Sequence, residues 1–346
     1  MNAGFASGTA SAPEQKPPVP GNPFWKRALP YFGTLAIFAL IFWRIPVAKV
    51  GEALKHVPVL EFFGVFLPFS IFYWIIDSLC LTWVVRRFNA ALSLRDILPI
   101  RASMYLLSLV NSNLGQGGVA WYLHRKTGVP FLETLSSILF IALMEVYQLF
   151  LFSTLGVFLY RPSSHTQSEI VRVLRVAYLI AWLVLAAVIA FFAYARRSER
   201  APGWLTRGRA AAIATTFMAA RPIDYAIVLG IKAPSFMLSV LAQYFALSLY
   251  SIPIPFAQLV LFLPLVFLAA ALPISVAHLG TSQAAWLLFF SGRASNAKML
   301  AYSLAAHFTF MLCNGLIGLL YLPRASRELS TLGATAPHAG RAASKR

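Results

Sequence analysis

Long apolar runs constrain this chain more than any other feature. "VLEFFGVFLPFSIFYWIIDSLCLTWVV" (59–85) and "ILFIALMEVYQLFLFSTLGVFL" (138–159) are two of several. A run of about 17–25 apolar residues is the length that crosses a bilayer as a helix. Of the 346 residues 59% are hydrophobic and only 12% are charged, whereas a soluble domain carries about 25% charged residues. The predicted fold class is therefore all-α, a polytopic helical membrane protein.

The formal net charge is +18, from 29 basic and 11 acidic residues. No compact basic domain is present to carry nucleic acid, so that partner is excluded. Lys and Arg instead collect in cytoplasmic loops and fix orientation, and such loops also favour anionic membrane lipids. Cys80 and Cys313 both sit in apolar runs. They form no C-x-x-C motif and read as small packing residues.

Residues 1–22 are rich in Ala, Ser, Gly and Pro and read as a disordered tail. No basic segment beside Met1 marks a signal peptide. Residues 23–322 read as a single transmembrane domain and 323–346 as a basic cytoplasmic tail. A first span at 24–43 has Lys26 and Arg27 on its cytoplasmic side. The amphipathic stretch 47–57 lies on the outer interface, and the next span stops at Arg86 and Arg87. The loop 196–221 carries six arginines against Glu199 alone, which places it in the cytoplasm. The expected architecture is about six full spans plus two glycine-broken helical hairpins, multi-pass in a bacterial inner membrane, with both termini cytoplasmic.

The hairpins rest on an internal repeat. "NLGQGGVAWYL" (113–123) and "HLGTSQAAWLL" (278–288) share the pattern L-G-x-x-x-x-A-W-x-L. Each is followed by a glycine, Gly128 or Gly292, and then a long span. The repeat units run over about 91–160 and 256–322. The first enters from the cytoplasm and the second from outside, so the copies form an inverted repeat, a common transporter construction with its site at the repeat interface. A glycine break frees backbone groups that must find partners in hydrocarbon. Helix N-termini at Gly115–Gly118 and at Gly280–Ser282 would point partial positive charge at a cavity, which suits an anionic headgroup. Gly115, Gln116, Gly118, His278, Gly280 and Gln283 are the substrate-binding candidates on this argument. The alternative is that these residues only cap two half-helices.

Ionisable groups inside spans usually face a cavity or a partner, because each costs about 2.5–3.5 kcal/mol to insert. Asp77, Glu145, Lys232, His278 and His307 qualify. Arg125, at the end of the first short helix, is a further outlying candidate. Two readings stay open: Glu145 or Asp77 pairs with Lys232 to hold the bundle, or these groups line a site. Lys232 could instead snorkel to the interface. No H-E-x-x-H, G-x-S-x-G or G-K-[ST] motif occurs, so no metal, cofactor or catalytic residue is assigned and the chain is expected not to be an enzyme.

At these residues the sequence resembles the transmembrane, flippase-like region of lysylphosphatidylglycerol synthases, which also occurs as stand-alone membrane proteins. "NSNLGQGGVAWYLHRKTGVP" followed by "FLETLSSILFIALMEVYQLF" matches that family's glycine break, short basic helix and span. "PISVAHLGTSQAAW" matches its later segment. The resemblance covers about residues 28–322. The family usually has Arg and Glu after the second Leu-Gly pair, where this chain has Ser282 and Gln283. It often has Glu-Arg early in the span after the first break, where this chain has Ile141 and Ala142. Glu145 falls where an Asp is common. The aminoacyl-transfer domain of the synthases is not expected in the 24 residues after Leu322. The resemblance implies translocation or binding of a phospholipid or lipid-linked metabolite. The alternatives are a non-transporting lipid-binding accessory protein for envelope assembly and, more weakly, a membrane-embedded transferase.

Overall fold

The computed structural model describes residues 39, 41–43, 47–55, 58–161, 165–197, 208–271 and 279–335. Eleven helices follow one another among them: α1 (Val47–Lys55), α2 (Val59–Phe88), α3 (Leu94–Val110), α4 (Ser112–Thr127), α5 (Phe131–Leu159), α6 (His165–Arg197), α7 (Gly208–Ala219), α8 (Pro222–Leu249), α9 (Phe256–Ala270), α10 (Thr281–Phe289) and α11 (Asn296–Thr335). No strand occurs among the described residues. The helices α2, α5, α8 and α11 are long and apolar enough to cross a membrane. The fold class read from composition therefore holds. The first predicted span, 24–43, lies almost entirely outside the described residues.

The boundaries have local causes. Ser93 and Asp96 open α3: the Ser93 amide and hydroxyl both donate to the Asp96 carboxylate, at 3.0 and 2.6 Å. Those bonds hold the Asp96 carboxyl down at about 2. Asn111 leaves the helical region, with φ −160° and ψ 128°, and its side chain accepts from the Asn113 amide at 2.8 Å to start α4. Pro222 begins α8, where fixed φ is already suited to a helix, and Asp224 accepts from the Arg221 amide at 2.8 Å. The helix α11 runs through Pro323 to Thr335. The first part of the predicted tail 323–346 is thus helical, and it docks: Ala325 is buried, and Glu328 receives Lys126 and, at 3.0 Å, the Tyr122 hydroxyl.

Packing reveals a repeat larger than the sequence pattern suggests. The set α1–α5 corresponds in order to α7–α11, with α6 as the connector. The first helix of each broken pair lies on the long helix of the other set: α3 on α11, and α9 on α5. Likewise α1 packs on α11 and α7 on α5. The equivalent helices α2 and α8 pack on each other. They run antiparallel, because Arg87 at the end of α2 meets Asp224 at the start of α8, at 3.1 Å, while Phe62 near the start of α2 meets Tyr250 at the end of α8. This pair therefore runs in opposite directions, as an inverted repeat requires. Matched contacts of this kind also involve α1, α2, α7 and α8, which lie outside 91–160 and 256–322.

The glycines play different parts from those expected. Gly115–Gly118 do not form a helix N-terminus. They lie inside α4, and the break is at Asn111. The reason is steric: a Cβ on Gly115 would sit 1.9 Å from Ser108 Oγ, and one on Gly118 would sit 2.6 Å from Met104 Sδ. These glycines let α4 fold back tightly on α3. In the second unit Gly280 is the residue before α10, with φ 91°. The shared L-G-x-x-x-x-A-W pattern therefore falls at different helix positions in the two units. The conformational match is carried by Gly128 and Gly292, with φ 74° and 78°, each in the left-handed region that ends a short helix before a long one.

Both Gly280 and Gly292 have positive φ, so any side chain there is strained. Gly292 is exposed with open space around it, whereas Gly280 is buried. Gly292→Leu is expected to cost about 1–3 kcal/mol from strain alone. Gly280→Leu adds overpacking and should give the larger drop in melting midpoint in detergent. Equal midpoints for the two variants would remove packing from the explanation.

Candidate functional site

Two large apolar cores fill the bundle, and a layer of charge lies between them beside a smaller cluster of Trp74, Ala102, Tyr105 and Ile317. On α2, Phe62 and Phe66 belong to one core and Cys80, Leu81, Val84 and Val85 to the other. Asp77 sits between these groups. On α8, Val228 and Phe236 belong to different cores and Lys232 lies between them. On α5, Met144 and Val157 are divided in the same way, with Glu145 at the boundary. Asp77 is eleven residues before the end of α2 at Phe88, about 16 Å along the axis at ~1.5 Å per residue. That is near the middle of a hydrocarbon core about 30 Å thick.

The charges are mutually paired. Lys232 Nζ donates to Asp77 Oδ1 at 2.8 Å and also contacts Glu145 Oε1. The Arg101 guanidinium donates to the other Asp77 oxygen, Oδ2, which lies 3.5 Å from the Tyr105 hydroxyl. Aromatic faces back both cations: Lys232 Nζ lies 5.3 Å from the Tyr73 ring centre, and the Arg101 guanidinium 5.7 Å from that of Tyr105. Tyr73 and Asp77 are four residues apart on α2, as are Arg101 and Tyr105 on α3, so each pair shares a helix face. Trp74 Nε1 donates to Leu98 O at 3.1 Å and fixes α3 against α2 beside Arg101.

Burial grades this quartet. The Asp77 and Lys232 side chains are each 2% exposed, Arg101 is 17% and Glu145 is 32%. Two cations and two carboxylates cancel, which is what lets such charges survive in a low-dielectric interior. The open side is a small cleft. Asp77, Arg101, Gln116 and Glu145 form its polar lining, and Leu81, Ile138, Ile141 and Ala142 its apolar wall. Charged and amide groups on one side and apolar side chains on the other make the cleft amphipathic.

The structure brings together Asp77, Glu145 and Lys232, and sets Gln116 on the same cleft. Lys232 is fully enclosed and does not snorkel. The remaining residues lie apart. Gly115 and Gly118 serve the α3–α4 packing, and Arg125 is exposed, with its guanidinium 5.7 Å from the Trp121 ring centre. His307 is half-buried on α11 and is not in the cleft lining. His278 lies outside the described residues. Gln283 is buried, and its Oε1 accepts from the Gly280 amide at 2.6 Å, so it caps α10 away from the quartet. Its Nε2 has no hydrogen-bond partner.

Sequence reasoning missed Arg101, Tyr73 and Tyr105. The signal for Arg101 was present, since it is the one arginine within "DILPIRASMYLLSLV" and stands about two turns beyond Arg95 at the start of α3. The polar start of that helix obscured it. No group of three or more His, Cys, Asp or Glu arranged for a metal occurs among the described residues.

Comparison with protein families gives a match to the lysylphosphatidylglycerol synthase TM region over residues 30–318. The chain belongs to that family. The match contains all four members of the quartet, both helix breaks and both left-handed glycines, and it ends within α11. The protein is thus a multi-pass helical membrane protein of a lipid-related family. Neither the curated proteins nor the solved structures yield a match.

Proposed function

We propose that this chain binds the headgroup of a phospholipid or lipid-linked metabolite in the α2–α3–α4–α5 cleft and carries it across a bacterial inner membrane. The observation that carries this reading is the buried quartet of Asp77, Arg101, Glu145 and Lys232. It stands at mid-depth, it draws on both repeats, and its cleft has an apolar wall. Charges inside a span mark substrate pathways or partners, and inverted repeats place their site at the interface between units. Arg101 and Lys232 are the phosphate-binding groups on this reading, because Arg and Lys pair with phosphate oxygens through charge-assisted bonds. The substrate is anionic and the chain performs no covalent chemistry.

The experiment is identification of copurified lipid by mass spectrometry, for the natural sequence and for Arg101→Gln. Enrichment of one anionic lipid class over the host membrane, lost in Arg101→Gln, supports the reading. Lipid matching the bulk membrane for both proteins contradicts it.

Orientation follows from charge. Arg86, Arg87, Arg125, Lys126, Arg221 and Arg324 mark one end of the bundle, which the positive-inside rule makes cytoplasmic. The buried Cys80 and Cys313 are shielded from reagents, and Ser251 and Ser326 are exposed at opposite ends. An impermeant maleimide added to intact cells should label Ser251→Cys and spare Ser326→Cys. The reverse pattern contradicts the assignment.

A further inference from the structure

Glu145 differs from the rest of the quartet in access and in need. Asp77 alone bridges Arg101 and Lys232, and with the Tyr105 hydroxyl beside it that carboxylate is fully enclosed. Those three charged groups carry a net charge of +1. Glu145 supplies the balancing negative charge, yet it touches Lys232 alone among the cations and it is the most exposed of the four. Its carboxylate lies in the cleft lining with Arg101 and Gln116. Lys232 is not part of that lining, so an acceptor entering the cleft reaches it only past Glu145.

We infer that Glu145 is an internal stand-in for the ligand anion: a phosphate or phosphodiester group displaces its carboxylate from Lys232 and takes its place between Lys232 and Arg101. The inference rests on the cleft being the headgroup site and deepens that reading. Charge bookkeeping supports the exchange. With Glu145 in place the quartet is neutral and offers an anion no net attraction. With its carboxylate swung out toward the open side, the Asp77–Arg101–Lys232 core exposes its single positive charge. The core itself stays intact, because the Lys232–Asp77 bond at 2.8 Å does not involve Glu145. The geometry also gives specificity. A ligand without a strong acceptor cannot compete with a carboxylate, so neutral lipids are refused at this step.

The consequence is opposite in sign to that for an ordinary binding residue: removing Glu145 tightens binding. A charge-assisted hydrogen bond is worth about 1.5–3 kcal/mol, so freeing Lys232 of its competitor should tighten anion binding about tenfold or more. The test uses the full chain in an uncharged detergent, with binding followed by calorimetry. The probes are dioctanoyl-phosphatidylglycerol, inorganic phosphate and dioctanoyl-diacylglycerol. Glu145→Gln and Glu145→Ala should both bind an anionic probe about tenfold tighter than the natural sequence, with diacylglycerol unaffected. A gain for phosphatidylglycerol identifies the lipid phosphodiester as the displacing group. A gain confined to inorganic phosphate identifies free phosphate, and the exchange stands in either case. Arg101→Gln, which leaves the Lys232–Asp77 bond in place, should weaken binding of the same probe. If Arg101→Gln weakens binding while both Glu145 variants bind equally or more weakly, the stand-in role is overturned and the headgroup site survives. If none of the three substitutions changes binding, both are overturned.

Discussion

Asp77→Asn is expected to lower stability by about 3–5 kcal/mol, the cost of breaking a buried ion pair by removing one partner. Asp77 is the keystone of the charged layer, with Arg101 on one carboxylate oxygen and Lys232 on the other. An Asn keeps the shape and loses the charge. Glu145, partly exposed and in contact with Lys232 only, is then the one carboxylate left for two cations, and Lys232 is just 2% exposed. Removing Lys232 as well should recover much of the loss, because Asp77→Asn with Lys232→Met deletes a neutral pair and leaves Arg101 and Glu145 to balance. Melting midpoints in detergent for the two single variants and the double variant form a cycle. A double variant more stable than Asp77→Asn alone is the expected result. Losses that simply add would show that the two groups do not depend on each other.

The second large effect lies far from the charges. A Cβ on Gly156 would sit 2.3 Å from the Cα of Leu261 and 2.7 Å from its backbone nitrogen. The α5 and α9 backbones are therefore in direct contact, and Ser153 one turn earlier donates to Leu261 O at 3.0 Å. This seam and its counterpart, α3 on α11, both pack one repeat against the other. Overpacking where side chains can shift costs about 1–3 kcal/mol. Here the Leu261 backbone and the Cβ fixed to it stand in the way, so Gly156→Leu should exceed that range and leave little folded protein. Gly318→Leu, at the equivalent seam, meets the Leu106 side chain at 2.9 Å and Ala102 O at 3.0 Å. It should cost less. Gly230→Leu, with open space around it on α8, serves as the control. Recovery of monodisperse Gly156→Leu at the level of Gly230→Leu would contradict the close seam.

The long spans were legible because their signal is one-dimensional. Apolar length and flanking arginines define α2 and α8 almost to the residue, and Gly292 announces α11. The amphipathic α1 was legible from the spacing of Lys49, Glu52 and Lys55. The inverted order was legible too, from loop charge. The break in the first unit was not, because Gly115–Gly118 look like a loop while acting as a contact surface inside α4. A glycine that gives room and a glycine that gives freedom are the same letter. Asn111, the actual break, carries no special mark in sequence. At the site, the pairing of Lys232 with Asp77 or Glu145 could be foreseen as a choice between partners. That Lys232 takes both follows from the α2–α8 crossing, which no local pattern encodes. Arg101 was hidden because the polar start of α3 made one more charge unremarkable, and its role depends on α2 lying alongside.

The central claim is that a lipid headgroup crosses through the charged layer between the repeats. It is tested most directly by reconstituting the chain in liposomes with a fluorescent phosphatidylglycerol and following its loss from the inner leaflet by dithionite quenching. The account predicts that the natural sequence moves the lipid well above protein-free vesicles. It also predicts that Arg101→Gln, reconstituted at an equal density of folded protein, moves it at least about tenfold more slowly, the loss of one charge-assisted contact. Movement by the natural sequence no faster than in empty vesicles, or equal movement by Arg101→Gln, would contradict it.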